Sequence, residues 1–253
     1  MSFQAIRITR GIFEFVLIVI AVCIFEPSCF AQDSGAVDNE SWTPFKLSLI
    51  PGKWEFPKNK SVKGLRFGIA STSQDRIDGI DCGLYLEAAK VNGIQVSFIG
   101  SASNLNGVSL GGFNIANRVD GIQANLIGNW VLDSTRGAQL GAMNVASEVR
   151  GAQIGVWNMG DVRVGAQLGL VNMDFTHSDS QLNPSDNKDQ QISEPHLFQV
   201  GIINYARVES KGFQIGVINL AQSLHGIQLG IINYIRVHKT LPFSFLPILN
   251  FSF

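Results

Sequence analysis

Residues 137–172 read GAQLGAMNVASEVRGAQIGVWNMGDVRVGAQLGLVN: two complete copies of one 14-residue unit and the start of a third. Working outward from this stretch, Gly64, Gly79, Gly93, Gly107, Gly121, Gly137, Gly151, Gly165, Gly212 and Gly226 each open a unit, and Leu197 stands where one glycine is missing. Most spacings are 14, a few are 15 or 16, and one is 32. Self-similarity at a short fixed period means that each copy is one structural unit stacked on its neighbours.

Within a unit the second, fourth and sixth positions are apolar, as in Ala152, Ile154 and Val156 or Ile227, Leu229 and Ile231. An apolar period of two rich in β-branched residues is the mark of a strand with one buried face, so these three positions are expected to point inward. The third position is glutamine in eight units (Gln95, Gln123, Gln139, Gln153, Gln167, Gln199, Gln214, Gln228). The eighth is asparagine in seven (Asn114, Asn144, Asn158, Asn172, Asn204, Asn219, Asn233). The fifth is usually glycine, as in Gly141, Gly155 and Gly216. Two glycines per unit would cost a helix about 2 kcal/mol each time, which rules a helix out.

Parallel, in-register stacking places identical residues about 4.8 Å apart, where their amides hydrogen-bond in ladders. Asparagine and glycine also tolerate the left-handed backbone of a corner. The fold class expected is therefore all-β, a parallel β-solenoid of about eleven 14-residue repeats with capping strands. The rival is a closed antiparallel β-barrel of the outer-membrane type. The tail, which alternates Phe243, Phe245, Pro247, Leu249, Phe251 and Phe253, resembles the insertion signal of such barrels, and the seventh position is apolar too. Against it, three alternate residues span about 13 Å of strand, whereas a lipid-facing band is about 25 Å tall. Pro242 and Pro247 would also sit in the closing strand, where every N–H is needed.

Around the repeats, residues 1–31 read as a signal peptide. Arg7 and Arg10 give a basic start, Gly11 to Phe25 is apolar except for Glu14, and Cys29-Phe30-Ala31 offers a cleavage site before Gln32. An apolar run of that length falls short of the roughly 20 residues that span a bilayer. A lipid anchor on Cys29 or Cys23 fits poorly, because Glu26-Pro27-Ser28 and Val22 are unsuitable lead-ins. Residues 32–41 are a flexible leader, 42–63 an N-terminal cap, 64–240 the repeats and 241–253 a C-terminal capping strand; caps are required because an open edge invites aggregation. Asp174 to His196 is polar and reads as a loop inserted between two units, tolerant of shortening. Localisation follows as exported, at the cell surface or outer membrane, alternatively periplasmic or secreted.

Net charge is −1 with 15% charged residues, and no basic stripe interleaved with aromatics is present, so no nucleic acid is expected as a partner. Past residue 31, Cys82 is the only cysteine, which excludes an internal disulfide and a four-cysteine zinc site. Cys82 occupies an inward slot and is expected as a small core residue, not a nucleophile. His177 and His196 share the insertion with Asp174, Asp179, Asp186 and Glu194, but no helix or strand fixes a ligand spacing, and His225 and His238 lie apart. Asp75, Asp78 and Asp81 read as turn and exposed-face residues, with a calcium site or carboxylate pair as the alternative. Gly-x-Gln-x-Gly lacks the Lys-Ser/Thr of a phosphate loop. Trp130, Trp157, Tyr205 and Tyr234 are expected to pack ordinarily, with stacking on a sugar as the sharper alternative. No catalytic, cofactor-binding or metal residue is assigned, and no cofactor is expected.

PFKLSLIP from Pro44, KGLRFGIA from Lys63, the many G-φ-Q-φ-G-φ-φ-N units and the tail FLPILNFSF from Phe245 together resemble a family of surface repeat-containing proteins of diderm bacteria. The resemblance spans about Trp42 to Phe253, departing at Ser97 and Asn125, where the second glycine is missing, and in the insertion. It implies a secreted or surface location and brings no catalytic residue. By pattern only, the repeat is also similar to the head repeats of trimeric autotransporter adhesins, which form parallel β-rolls. The function expected is a non-enzymatic exported or cell-surface scaffold presenting an interaction surface to an unknown surface or extracellular partner. The alternatives are an outer-membrane barrel, through which membrane association and a pore become possible, and a polysaccharide-processing β-helix enzyme.

Overall fold

The computed structural model describes residues 41–50, 53–58, 60–71, 76–175, 196–237 and 244–252. The signal segment, nearly all of the leader, most of the insertion, Asp75, His177, Asp179, Asp186, Glu194, His238, Phe243 and Phe253 lie outside them. Among the described residues the chain is almost wholly strand: β1 (Trp42–Ile50), β2 (Trp54–Phe56), β3 (Ser61–Ser71), β4 (Arg76–Asp174), β5 (His196–Ile235) and β6 (Phe245–Ser252). They form one sheet in the order β2-β1-β3-β4-β5-β6, open at both edges. The long β4 and β5 wind through successive coils of a solenoid and not through the staves of a barrel.

Register follows the repeat. Gly64 pairs with Gly79 and Phe67 with Cys82 in the parallel β3–β4 contact. Across the insertion, Gln167 pairs with Gln199 and Asn172 with Asn204, again parallel, so the stack continues unbroken past the excursion. The two bounding residues of the predicted insertion, Asp174 and His196, lie in strands. Asp174 is buried and accepts a hydrogen bond from the Val162 N–H at 2.9 Å, and His196 pairs with Val164. Both belong to the stack, not to the loop.

At one end β1 adds a parallel rung on β3, and β2 closes it antiparallel. At the other, β6 lies antiparallel on the last unit, with a register shift between Gly230 and Asn233 opposite the stretch that holds Pro247. An irregularity is where a residue without an N–H is tolerated.

The corner of each coil is its first glycine. Gly137, Gly151 and Gly226 have φ of +128°, +142° and +155°, and a Cβ on any of them would run into the carbonyl oxygen of the corner glycine one coil before. Only glycine meets both demands. Leu197, which lacks that freedom, is turned into the core instead, 2% exposed. The asparagines carry no corner: Ile248 is the one described non-glycine residue with positive φ.

The interior is the reverse of the expectation for the repeat strand. Gln153, Gln167, Asn158 and Asn172 are fully buried, whereas Ile154, Val156 and Leu170 are exposed. The second, fourth and sixth positions face out; the third, fifth and eighth face in. Cys82, at a fourth position, is accordingly on the outer face and part-exposed, not in the core. Apolar burial comes from later in the unit, where Ala88, Val91, Ala116, Val119, Ala146 and Val149 join the continuous core.

Buried amides are tolerated because most are bonded to an amide of a neighbouring coil; among the described residues, Asn125 Oδ1 and Gln228 Oε1 are the buried amide oxygens left without a partner. Gln153 Nε2 donates to Gln139 Oε1 at 2.8 Å, and Gln167 Nε2 to Gln153 Oε1 at 2.8 Å. Asn144 Nδ2 donates to Asn158 Oδ1 at 2.8 Å, and Asn158 Nδ2 to Asn172 Oδ1 at 2.9 Å and to the Leu168 carbonyl at 3.0 Å. The fifth position must be glycine for this: a Cβ on Gly155 would collide with the Gly141 carbonyl and stand 2.7 Å from Asn144 Nδ2.

The two departures from that rule compensate themselves. Where the fifth position is Ser97 or Asn125, the eighth is Gly100 or Gly128. A Cβ on Gly100 would lie 2.6 Å from Ser97 Oγ, so the side chain has moved from one wall of the lumen to the other. Asn129 then takes up the ladder, accepting from Asn125 at 2.6 Å and donating to Asn144 at 2.7 Å.

Candidate interaction surface

Two surfaces carry the chemistry of this chain: the polar lumen and the apolar outer wall. The lumen is a directed chain of hydrogen bonds. Successive glutamines donate toward the N-terminal end, from Gln228 to Gln214, Gln199, Gln167, Gln153, Gln139 and Gln123 at 2.7–3.0 Å. Ser109 interrupts the glutamine column, and Asn114 bridges the gap by accepting from Gln123 at 2.6 Å and donating to Gln95 at 3.0 Å. Gln95 Nε2 donates to Asp81 Oδ2 at 3.1 Å, and Asp81 takes both forks of Arg66, Nε at 2.7 Å and Nη2 at 2.8 Å. Every donor in the column thus points toward one carboxylate, an alignment in which hydrogen bonds polarise one another. From Asn144 to Asn219 the asparagine column runs the opposite way, each donating to the asparagine of the next coil up to Asn233, so the two amide dipoles oppose.

Asp81 is therefore a buried structural anion with no exposure, not the exposed-face residue its position near a turn suggested. Arg66 also donates to Ser71 Oγ and the Glu87 carbonyl, both at 3.1 Å, and Lys46, likewise buried, stands 3.4 Å from Glu55. These charges occupy the first rungs in the slot that glutamine fills elsewhere. Asp78 lies on the outside, where it accepts from Asn92 Nδ2, so the two carboxylates are on opposite sides of the wall and form no pair. Among the described residues no group of three or more His, Cys, Asp and Glu side chains could hold a metal ion.

The outer wall is uniform. No charged or amide side chain occurs at the second, fourth, sixth or seventh position of any unit. Phe67, Leu84, Phe98, Leu126, Ile154, Val156, Ile215 and Ile231 are all exposed, Leu126 at 82%. These columns stack coil upon coil into one apolar strip along the solenoid. Trp157 and Tyr234 extend it at the seventh and ninth positions and are 44% and 39% exposed, so neither packs as an ordinary core aromatic. Trp130 is part-buried, and Tyr205 lies against Phe175 with ring centroids 6.1 Å apart and planes tilted by 54°. The aromatics fall on separate coils, Trp130 on the fifth, Trp157 on the seventh, Tyr205 on the ninth and Tyr234 on the eleventh.

The outward side of the last third of the unit is polar and solvated, with exposed ion pairs such as Arg118–Asp133 at 2.6 Å and Arg150–Glu148 at 2.7 Å, while its inward side is the apolar core. Beside the corner glycines, His196, Lys211 and His225 fall on successive coils and line a shallow groove with Phe198 and Phe213. The Cys82 thiol has its pKa raised, first by burial and second by the charge of Asp81, which disfavours the nucleophilic thiolate.

Alternation in the sequence announced two faces without naming the outer one. The informative signal was the Ser97/Gly100 and Asn125/Gly128 exchange, which makes sense only if the fifth and eighth positions share the lumen. Comparison of the chain with protein-family models, with curated proteins and with solved structures finds no match.

Proposed function

We propose that this chain is an exported, non-enzymatic repeat scaffold of the cell surface, and that its apolar outer wall is covered by a partner in use. One observation carries the reading: an exposed apolar strip, uninterrupted by charge, running the length of a solenoid whose buried amides are bonded to one another. Soluble monomers rarely expose contiguous apolar patches above a few hundred Å², and larger ones mark interaction sites. The lumen does not compete for the role, because its amides are spent on the neighbouring coils. The basic, apolar and small-residue order of residues 1–31 supports export, and the likeness of units and tail to surface repeat proteins of diderm bacteria supports the location.

The test is the native mass of complexes extracted from cells that make the chain. Leu126→Lys with Val156→Lys changes two exposed side chains and should leave the melting temperature within a few degrees. Complexes of the variant should fall to the mass of the lone chain. Complexes of unchanged mass would sink the reading.

A further inference from the structure

The occupant of the outer wall is identified by the size of the wall and the charges that border it. We infer that it is a second copy of this chain, packed face to face and antiparallel about a two-fold axis that lies along the strands near the middle of the stack. This rests on the reading of the wall as an interaction surface and names what covers it.

Area comes first. Eleven coils at about 4.8 Å give a strip roughly 53 Å long, and its apolar columns are about 13–17 Å wide, on the order of 800 Å² per copy. That is about what each partner contributes to a standard stable interface, roughly 800 Å². Two sheets with regular apolar columns pack in the way sandwich sheets do, about 10 Å apart. Lengthwise growth is a separate matter, because β2 and β6 cover the two ends with antiparallel strands.

Charge sets the direction. The residue immediately before each corner glycine borders the strip, and its sign changes along the stack. After Lys63 at the first coil, the first half carries Asp78 and Asp120; the second carries Arg136, Arg150 and Lys211. Asp120, Arg136 and Arg150 are exposed. The sign turns over between Asp120 and Arg136, which sit on the fifth and sixth of eleven coils, at the middle of the strip.

A two-fold axis along the strands at that point lays this column against itself in reverse. Asp120 of each copy then meets Arg136 of the other, and Asp78 meets His196. Lys63 and Lys211 would face each other at the ends of the strip, but the Lys63 ammonium is folded over the Trp42 ring, 4.7 Å from its centroid. The other two-fold, along the solenoid axis, would set this charged column against the seventh- and ninth-position edge, where Glu87 is the single charge among the described residues. Complementary charge of this kind fixes register more than it adds affinity.

Sedimentation velocity on the purified chain, in the form its cell exports and without detergent, tests the proposal. The parent should run as a dimer and Leu126→Lys as a monomer with the same circular dichroism. Asp120→Arg and Arg136→Asp should each weaken the dimer by roughly tenfold or more at low salt, and the two together should restore it. A monomeric parent overturns the proposal, whether it stays free or floats with phosphatidylethanolamine–phosphatidylglycerol vesicles, and so does a dimer in which the double charge exchange restores nothing. A monomeric purified parent whose cellular complexes still collapse in the Leu126→Lys/Val156→Lys variant overturns the second copy and leaves the interaction surface standing.

Discussion

Asp81→Ala should lower the free energy of unfolding by about 3–5 kcal/mol, one of the two largest effects expected of a single change in this chain. Arg66 and Asp81 have no exposed side-chain surface and are joined by two short hydrogen bonds. Removing the carboxylate leaves a guanidinium enclosed with only Ser71 Oγ and the Glu87 carbonyl as acceptors, and it takes the acceptor from Gln95. Breaking one side of a buried pair costs far more than replacing both. Arg66→Met with Asp81→Leu should therefore cost clearly less than Asp81→Ala alone. Equilibrium unfolding of these two variants and of Arg66→Met alone decides this. Additive losses would show that the pair is not the unit that terminates the amide column.

Gly151→Ala should be as damaging, at about 3–5 kcal/mol, although it adds one methyl group. Its φ of +142° strains any L side chain, a cost of roughly 1–3 kcal/mol. The methyl would also overlap the Gly137 carbonyl, a backbone atom that cannot move without shifting the coil beneath. Effects above 4 kcal/mol are uncommon and arise from mechanisms of this kind. The neighbouring Ala152→Gly, on the outer wall, should cost only about 0.5–1 kcal/mol through backbone entropy. Thermal or denaturant melts of the pair should differ accordingly. A mild Gly151→Ala would mean that the corner glycines are not stacked on one another.

Much of the fold was legible before any coordinates. The period, the parallel register and the ladders of like amides all follow from identical residues recurring at one position, because stacking is the arrangement that places them side by side. What alternation could not supply was the sign of the faces. An apolar stripe is read as inward by default, yet apolar residues are common on surfaces, and the rule that hydrophobic residues are buried runs one way only. Here a second and shorter apolar stripe, Ala146 and Val149 in the unit from Gly137, fills the core, and the longer one is left outside.

The buried charges were illegible for a related reason. Arg66 and Asp81 occupy the glutamine slot of their units, so once glutamine is placed outside, they follow it. The proposed interaction surface inherits the same inversion. The residues that make it were identified from the start as Ile154, Val156 and their counterparts, and they were assigned to the core.

The central claim, that the amide columns are inside and the apolar columns outside, can be measured without a crystal. In a chain labelled with nitrogen-15 at glutamine and asparagine side chains, proton–deuterium exchange of the carboxamide groups reports directly on their enclosure. The account predicts that Gln139, Gln153, Gln167, Asn144, Asn158 and Asn172 exchange as slowly as the backbone N–H groups of the same coils, in monomer and dimer alike. Exchange of these carboxamides at the rate of free amides, with the backbone still protected, would place them on the surface and contradict it.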